Sequence, residues 1–242
     1  MQLNLIQLFP ELLNLSGDRG NITVLTKRCR LRDISLSVEK VSLEEEFSLS
    51  EADFLYLGNG SEKDLPRITQ KLLEKKADLL TFREKGGVIL ASGNTYPILG
   101  TLFSIGEKNF PGVGLLQMET HSSDTRMTGN VVVNTPFGIL TGFENHMGKT
   151  RLGASVTPLG TLITGYGNNG EDRTEGAVYK NIFATYLTGP LLPNNPELAD
   201  LLIEKALEHK SGTFRQLTPL PNELENLSKG YLLNYDNRTH KR

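Results

Sequence analysis

The first hundred residues set short apolar stretches between polar, glycine-rich turns. QLNLIQ (2–7) and ISLSVE (34–39) alternate apolar and polar side chains, the period of a strand. DFLYL (53–57) predicts a third strand, and GVILA (87–91), an apolar run bounded by glycines, predicts an inner one. A helix is expected over 21–31. Leu65, Ile68, Leu72 and Leu79, with Leu73 and Leu80, mark the face of one long helix. After Ala91 come a small polar turn, Ser92-Gly93-Asn94-Thr95, and an apolar segment from Tyr96. That is the layout of a strand, a sharp turn and a helix start, where α/β hydrolytic enzymes mount a nucleophile. The order β-α-β-β-α-β-α predicts an α/β fold: a mostly parallel central sheet flanked by helices.

The second half is strand-rich. VVVN, GILTGFEN, TLITGYG, AVYKN and IFATYL are short strand-like runs between Gly, Asn and Thr turns. One clear helix is expected from Asn195, as cap with Pro196 at the first position, to about His209. No linker separates the halves, so residues 1–210 read as one domain in which a mixed sheet fits. Residues 211–242 read as a polar, poorly patterned tail with a tendency to disorder.

Composition narrows the class. Apolar residues are 38% and charged residues 22%, with a net charge of −2, which gives no electrostatic footprint for nucleic acid or anionic membrane. No apolar run reaches the roughly 18 residues of a spanning helix, and the N-terminus has no signal-peptide pattern. The expectation is a cytoplasmic protein. Its one cysteine, Cys29, excludes an internal disulfide and a thiolate metal cluster.

Residue types alone do not settle the chemistry. The turn after GVILA offers Ser92 or Thr95 and no cysteine. A serine nucleophile needs a base, and the histidines are His121, His146, His209 and His240. His146, in GFENHMGKT, follows an apolar strand, a position that suits a functional group or a loop histidine bonding the backbone. His209 ends a helix and His240 lies in a basic tail, both expected to face solvent. Cys29 sits among Lys27, Arg28 and Arg30, which could favour a thiolate, though a mid-helix cysteine is more often incidental. GNGSEKD lacks the Lys-Ser/Thr ending of a P-loop. Neither ENH nor Glu171-Asp172 has a metal-ligand spacing, and no metal or cofactor is expected.

Four segments together carry a resemblance: SGDRGN (16–21), GFENHMGKT (142–150), GYGNNGEDRTEGAVYKN (165–181) and TYLTGPLLPNNPELADLLIEKA (185–206). They resemble the class I glutamine amidotransferases of the cobyric-acid-synthase (CobB/CobQ-like) type, in particular the GatD-like glutaminase subunits of bacterial lipid II isoglutaminyl synthase. The resemblance implies a flavodoxin-like fold. It also implies a place in peptidoglycan precursor amidation. There the glutaminase passes ammonia to a MurT-like Mur-ligase-type subunit, which uses ATP to amidate the D-glutamate of lipid II. Such proteins carry a cysteine in a Cys-Gly-Gly-Tyr-Gln-x-Leu-Gly elbow and a histidine in Tyr-Leu-His-Gly-Pro. Matching Tyr96, Leu99 and Gly100 puts Gly93 at the cysteine, with Asn94 following, and Thr188 at the histidine. The resemblance further gives Arg126 to the carboxylate of the glutamine substrate, and Gly58 and Gly60 to the turn that supplies an oxyanion-hole amide. Tyr96 and His146 are the candidates to refill the space left by the two shrunken side chains.

Three readings follow. The first is a degenerate amidotransferase, a pseudoenzyme acting with a MurT-like partner. The second is a divergent amidotransferase or amidohydrolase that uses other residues. The third is a binding module for glutamine, another amino acid or a cell-wall precursor.

Overall fold

The structure, a computed structural model, describes residues 1–239, with side chains to residue 233. Five strands of the first sheet are parallel neighbours: β1 (Gln2–Leu8), β2 (Ser35–Val41), β3 (Phe54–Leu57), β4 (Val88–Ser92) and, from late in the chain, β12 (Ile182–Thr185). With β11 (Ala177–Tyr179) antiparallel at one edge, the order is β11-β12-β4-β3-β1-β2. GVILA is therefore an inner strand, as its apolar run predicts.

The pleat sorts these strands onto two cores. Ile6 and Leu8, Leu55 and Leu57, and Ile89 and Ala91 face one side. There they meet Leu65, Ile68 and Leu72 of α2 (Leu65–Glu74) and Leu79 and Phe82 of α3 (Lys76–Glu84). Leu3 and Leu5, Phe54 and Tyr56, and Val88 and Leu90 face the other side. These pack on Leu25 and Cys29 of α1 (Arg19–Arg30) and on Leu198 to Leu207 of α4 (Pro196–Ser211). A sheet covered on both faces needs near-continuous apolar strands, which is why β3 and β4 lack alternation.

Three expectations are corrected. The long helix over Leu65–Leu80 is two, broken at Lys75 (φ −105°, ψ 13°), because residues 76–78 bury nothing and the second turn set must re-aim Leu79 and Phe82. No α-helix follows the turn after β4; two single 3-10 turns, Gly93–Thr95 and Pro97–Leu99, take its place. Pro97 has no N–H to donate to the Gly93 carbonyl, the bond an α-helix would need there. Asn195 is the N-cap residue of α4 with Pro196 at the first position, as expected, but its side chain makes no capping bond. Its side chain instead pairs with both backbone groups of Thr141.

The strand-rich half builds mainly a second sheet, not an extension of the first. β7 (Met118–Thr135) and β8 (Gly138–Leu152) form a long antiparallel hairpin. β5 (Leu102–Ile105) and β9 (Gly160–Thr164) pair with opposite ends of β7, and β6 (Lys108–Pro111) and β10 (Thr174–Glu175) complete the order β10-β9-β7-β5-β6. Within the tail, α5 spans Glu223–Thr239, while residues 240–242, His240 included, lie outside the described residues. Lys229 ties α5 down through the Ile139 carbonyl (2.9 Å) and Glu197 (2.5 Å). Among the described residues no helix is long and apolar enough to cross a membrane.

Candidate active site

Strand β4 ends at Ser92, and the next residue, Gly93, has φ +67° before the chain turns into its 3-10 segment. A strand end followed by a left-handed residue is the backbone geometry that a nucleophile elbow also uses, and glycine adopts that φ without strain. The turn lacks more than a side chain at 93. A Cβ built there would lie 2.5 Å from Asn59 Cγ and 2.8 Å from Asn59 Cβ, and closer still to Oδ1. The Asn59 carboxamide fills the space that a side chain at 93 would need.

Asn59 is held there on every polar atom. Its Oδ1 accepts the Asn94 backbone N–H at 2.9 Å, its Nδ2 donates to Ser16 Oγ at 2.7 Å, and its own N–H donates to Asp18 Oδ1 at 3.0 Å. The N–H after the elbow residue is the donor that would stabilise an oxyanion in an acyl-transfer site. Here it is paired internally. Gly58 and Gly60 flank Asn59 for reasons of close approach. A Cβ on Gly58 would strike the Leu13 carbonyl, and one on Gly60 would come 2.5 Å from Leu13 Cδ2.

Behind the turn lies a buried polar hub. Asp18, 1% exposed, accepts from Ser16 N–H, Asn59 N–H and the Tyr56 hydroxyl, and Ser92 Oγ lies 3.3 Å from it. Burial, then the Asp18 charge, hold the Tyr56 hydroxyl protonated, its pKa well above the usual value. Ser92 is fully buried, with Tyr56 and Asp18 as its side-chain neighbours. It does not line the cleft. Thr95 is equally buried, and its hydroxyl, with one proton to donate, lies within 3.3 Å of the backbone carbonyls of residues 57, 58 and 92.

Thr188 enters from the neighbouring strand. β12 pairs with β4 so that Thr185 lies opposite Ser92, and the two strand ends open into one cleft of about 410 Å³. Asn59, Asn94, Thr188, Glu62 and Arg126 line it. The Thr188 hydroxyl donates to the Phe143 carbonyl at 2.8 Å. Arg126 reaches the cleft because β7 carries four residues, 123–126, against a single residue, Met147, on β8. Such a bulge re-aims a side chain, and Arg126 is left exposed with Nη1 donating to Asn145 Oδ1 at 2.8 Å.

The two expected refilling residues are elsewhere. Tyr96 is fully buried, edge-on to Tyr186, and its hydroxyl donates to Asn168 Oδ1 at 3.0 Å. His146 lies within β8, not in a loop, is 2% exposed, and stacks on Tyr186 at 3.5 Å between centroids. Its ring nitrogens lie 3.0 Å from the Gly148 carbonyl and 3.4 Å from Glu144 Oε2. It borders only a narrow cavity beside the cleft, shared with Glu62 and Asn94. The side chain seated against Gly93 is that of Asn59, from the GNGSEKD turn.

Two further groups bear on the chemistry. Glu175 is wholly buried, accepting from the Thr185 hydroxyl and the Tyr186 N–H, while its Oε2 has no hydrogen-bond partner among the described residues. Burial first, and the Glu144 charge in addition, raise its pKa to about 7. Cys29 is buried in α1, and desolvation pushes its thiol up to about 12 against the opposing charge of Arg32. The basic neighbours do not make it a thiolate. No group of three or more His, Cys, Asp or Glu able to hold a metal occurs among the described residues.

Comparison with known proteins gives this geometry a lineage. The chain is 36% identical to the lipid II isoglutaminyl synthase (glutamine-hydrolyzing) subunit GatD of Staphylococcus aureus (strain N315), covering 99% of this chain and 98% of that one. It is 34% identical to the subunit of the same name from Streptococcus pneumoniae (strain ATCC BAA-255 / R6), over 89% and 85% of the two chains. Among solved structures, PurLQS from Thermotoga maritima superposes with a TM-score of 0.56 at 16% identity, over 87% of this chain and 100% of that one, which is a likeness of fold. Residues 6–196 match the model of the CobB/CobQ-like glutamine amidotransferase domain. The chain belongs to the CobB/CobQ-like glutamine amidotransferase family.

Proposed function

We propose that this chain is a GatD-like subunit of a lipid II isoglutaminyl synthase-type assembly that has lost glutamine hydrolysis. Acting in the cytoplasm, it would work as the non-hydrolysing companion of a MurT-like Mur ligase. The observation that carries the reading is the sealed elbow: Gly93, φ +67°, with Asn59 in its side-chain space and on the Asn94 N–H. A hydroxyl or thiol must be activated by a base to attack an amide, and the facing residue is Thr188, whose hydroxyl is engaged by Phe143. Ser92 supports no alternative nucleophile, being buried against Asp18 and Tyr56. The whole-length similarity to GatD subunits supports the assembly and the peptidoglycan-precursor setting. Exposed Leu15 (68%) and Phe143 (42%) on the cleft rim offer apolar surface to a companion subunit.

The test is ammonia release from glutamine by the purified chain, alone and with a Mur-ligase-type protein from the same genome. The expected result is no release above background, a stable complex on size-exclusion chromatography, and amidation by that complex with ammonium but not with glutamine. Glutamine-dependent release abolished by Ser92→Ala would replace this reading with an amidohydrolase using other residues.

A further inference from the structure

The cleft keeps one binding end while the other is closed. Arg126 and Glu62 both line the cleft. Neither forms an ion pair among the described residues, and Arg126 is held only through Asn145. An α-amino acid presents the complementary pair, a carboxylate for the guanidinium fork and an ammonium for the carboxylate. At the elbow, two backbone donors have internal acceptors. The Asn94 N–H is on Asn59 Oδ1 and the Asn59 N–H is on Asp18 Oδ1. The Asn59 group seated against the elbow is itself a carboxamide, the functional group of a glutamine side chain.

We propose that Asn59 is a specificity-determining residue: its carboxamide occupies the amide subsite from within, so the cleft takes α-amino acids through their charged ends without selecting a side-chain carboxamide. The proposal rests on the non-hydrolysing reading above and deepens it by naming the ligand class. A site rejects an analogue that lacks a polar group only when the group's partners are then left unpaired. Here the partners are paired whether or not the ligand carries an amide. Glutamine gains nothing at the elbow, and an aliphatic amino acid of similar length loses nothing. Removing the Asn59 side chain frees the Asn94 N–H into the cleft, and one recovered hydrogen bond is worth about tenfold in affinity.

Calorimetric titration of the full chain with L-glutamine and L-norvaline tests this, in the wild type, Asn59→Gly and Arg126→Gln. The expected wild-type dissociation constants agree within about threefold. Asn59→Gly shifts the ratio about tenfold toward glutamine, and Arg126→Gln weakens both amino acids about tenfold or more. A wild type that prefers glutamine by tenfold, or that binds neither amino acid, overturns the proposal. If Asn59→Gly does not fold, the wild-type ratio and Arg126→Gln, whose exposed side chain sits on a bulge, still decide it. Assaying ammonia in the same cell separates the two ideas. Release of ammonia counts against the non-hydrolysing reading, whereas the selectivity ratio counts for or against Asn59 alone.

Discussion

If Asn59 stands in the space of a side chain at 93, the two positions must be energetically coupled in folding. Gly93→Ala adds a Cβ at φ +67°, a strain of roughly 1–2 kcal/mol for a non-glycine residue. The same Cβ displaces Asn59, breaking the bonds to Asn94 N–H and Ser16 Oγ at about 1 kcal/mol each. The single variant should therefore lose about 3–4 kcal/mol. Asn59→Gly alone loses the two bonds and adds glycine's backbone freedom, together about 2–3 kcal/mol. In that background Gly93→Ala meets no side chain and costs only the backbone strain. The double variant should then be more stable than the sum of the singles by about 2 kcal/mol. Urea unfolding of the four proteins, with the midpoint and slope both fitted, measures the cycle. Additivity within about 0.5 kcal/mol would mean that Asn59 does not occupy the elbow's side-chain space, and the account of a sealed site would fail with it.

Other expectations concern single groups. Gly93→Cys alone should give no glutaminase, because Thr188 supplies no base and the new thiol meets Asn59; measurable ammonia release from that variant would count against both arguments. Glu175 holds its proton up to about pH 7 in the fold but loses it near 4.5 when unfolded. Its contribution is therefore complete below pH 4.5 and falls by about 3 kcal/mol as pH rises to 7. Glu175→Gln, which mimics the protonated form, should remove that slope, and wild-type and variant stabilities that run parallel between pH 5 and about 7.5 would refute the assignment. Cys29, buried with its thiol pushed up to about 12, should resist iodoacetamide at about pH 8 until urea unfolds the chain. Rapid labelling of the native protein would show α1 to be open.

The parts of the fold legible in the sequence are those fixed by local periodicity. β2, at the sheet edge, shows one-sided alternation, while β1, β3 and β4 bury apolar residues on both faces, and the apolar runs of β3 and β4 could be read directly as inner strands. The second sheet could not, because its strands are long, polar and bulged. β7 runs through METHSSDTRMTGN, a stretch with no apolar alternation, and is held by pairing with β8. Hence His146 lies on a strand where a loop was one of the two readings, and Arg126 lies on the bulge of a strand that the sequence did not mark. Within the candidate site, the sharp turn at Gly93 was legible from glycine placement, but the side chain packed against it was not. Asn59 sits between Gly58 and Gly60, looks like a turn residue, and acquires its role only when residues 59 and 93 are brought together by adjacent strand ends.

The groups that hold the elbow differ from the groups that would react at it, and this explains how one can persist without the other. The position of Gly93 depends on β4 lying between β3 and β12, and on Asp18, Tyr56 and Ser92 bonding beneath the turn. None of these contacts involves a side chain at 93 or an imidazole at 188. Exchanging a reactive side chain for glycine would leave the strand order intact but open a cavity beside the Asn94 N–H, with the usual penalty for an unpaired polar group in a confined space. Asn59 removes that penalty by supplying both volume and an acceptor. A water molecule could satisfy the same N–H, but it would leave the subsite open to a ligand carbonyl. A tethered carboxamide competes at far higher effective concentration than a free ligand can. The closure is thus a property of the folded chain, and the non-hydrolysing reading proposed above predicts that gaining glutamine hydrolysis requires changing residue 59 as well as residues 93 and 188.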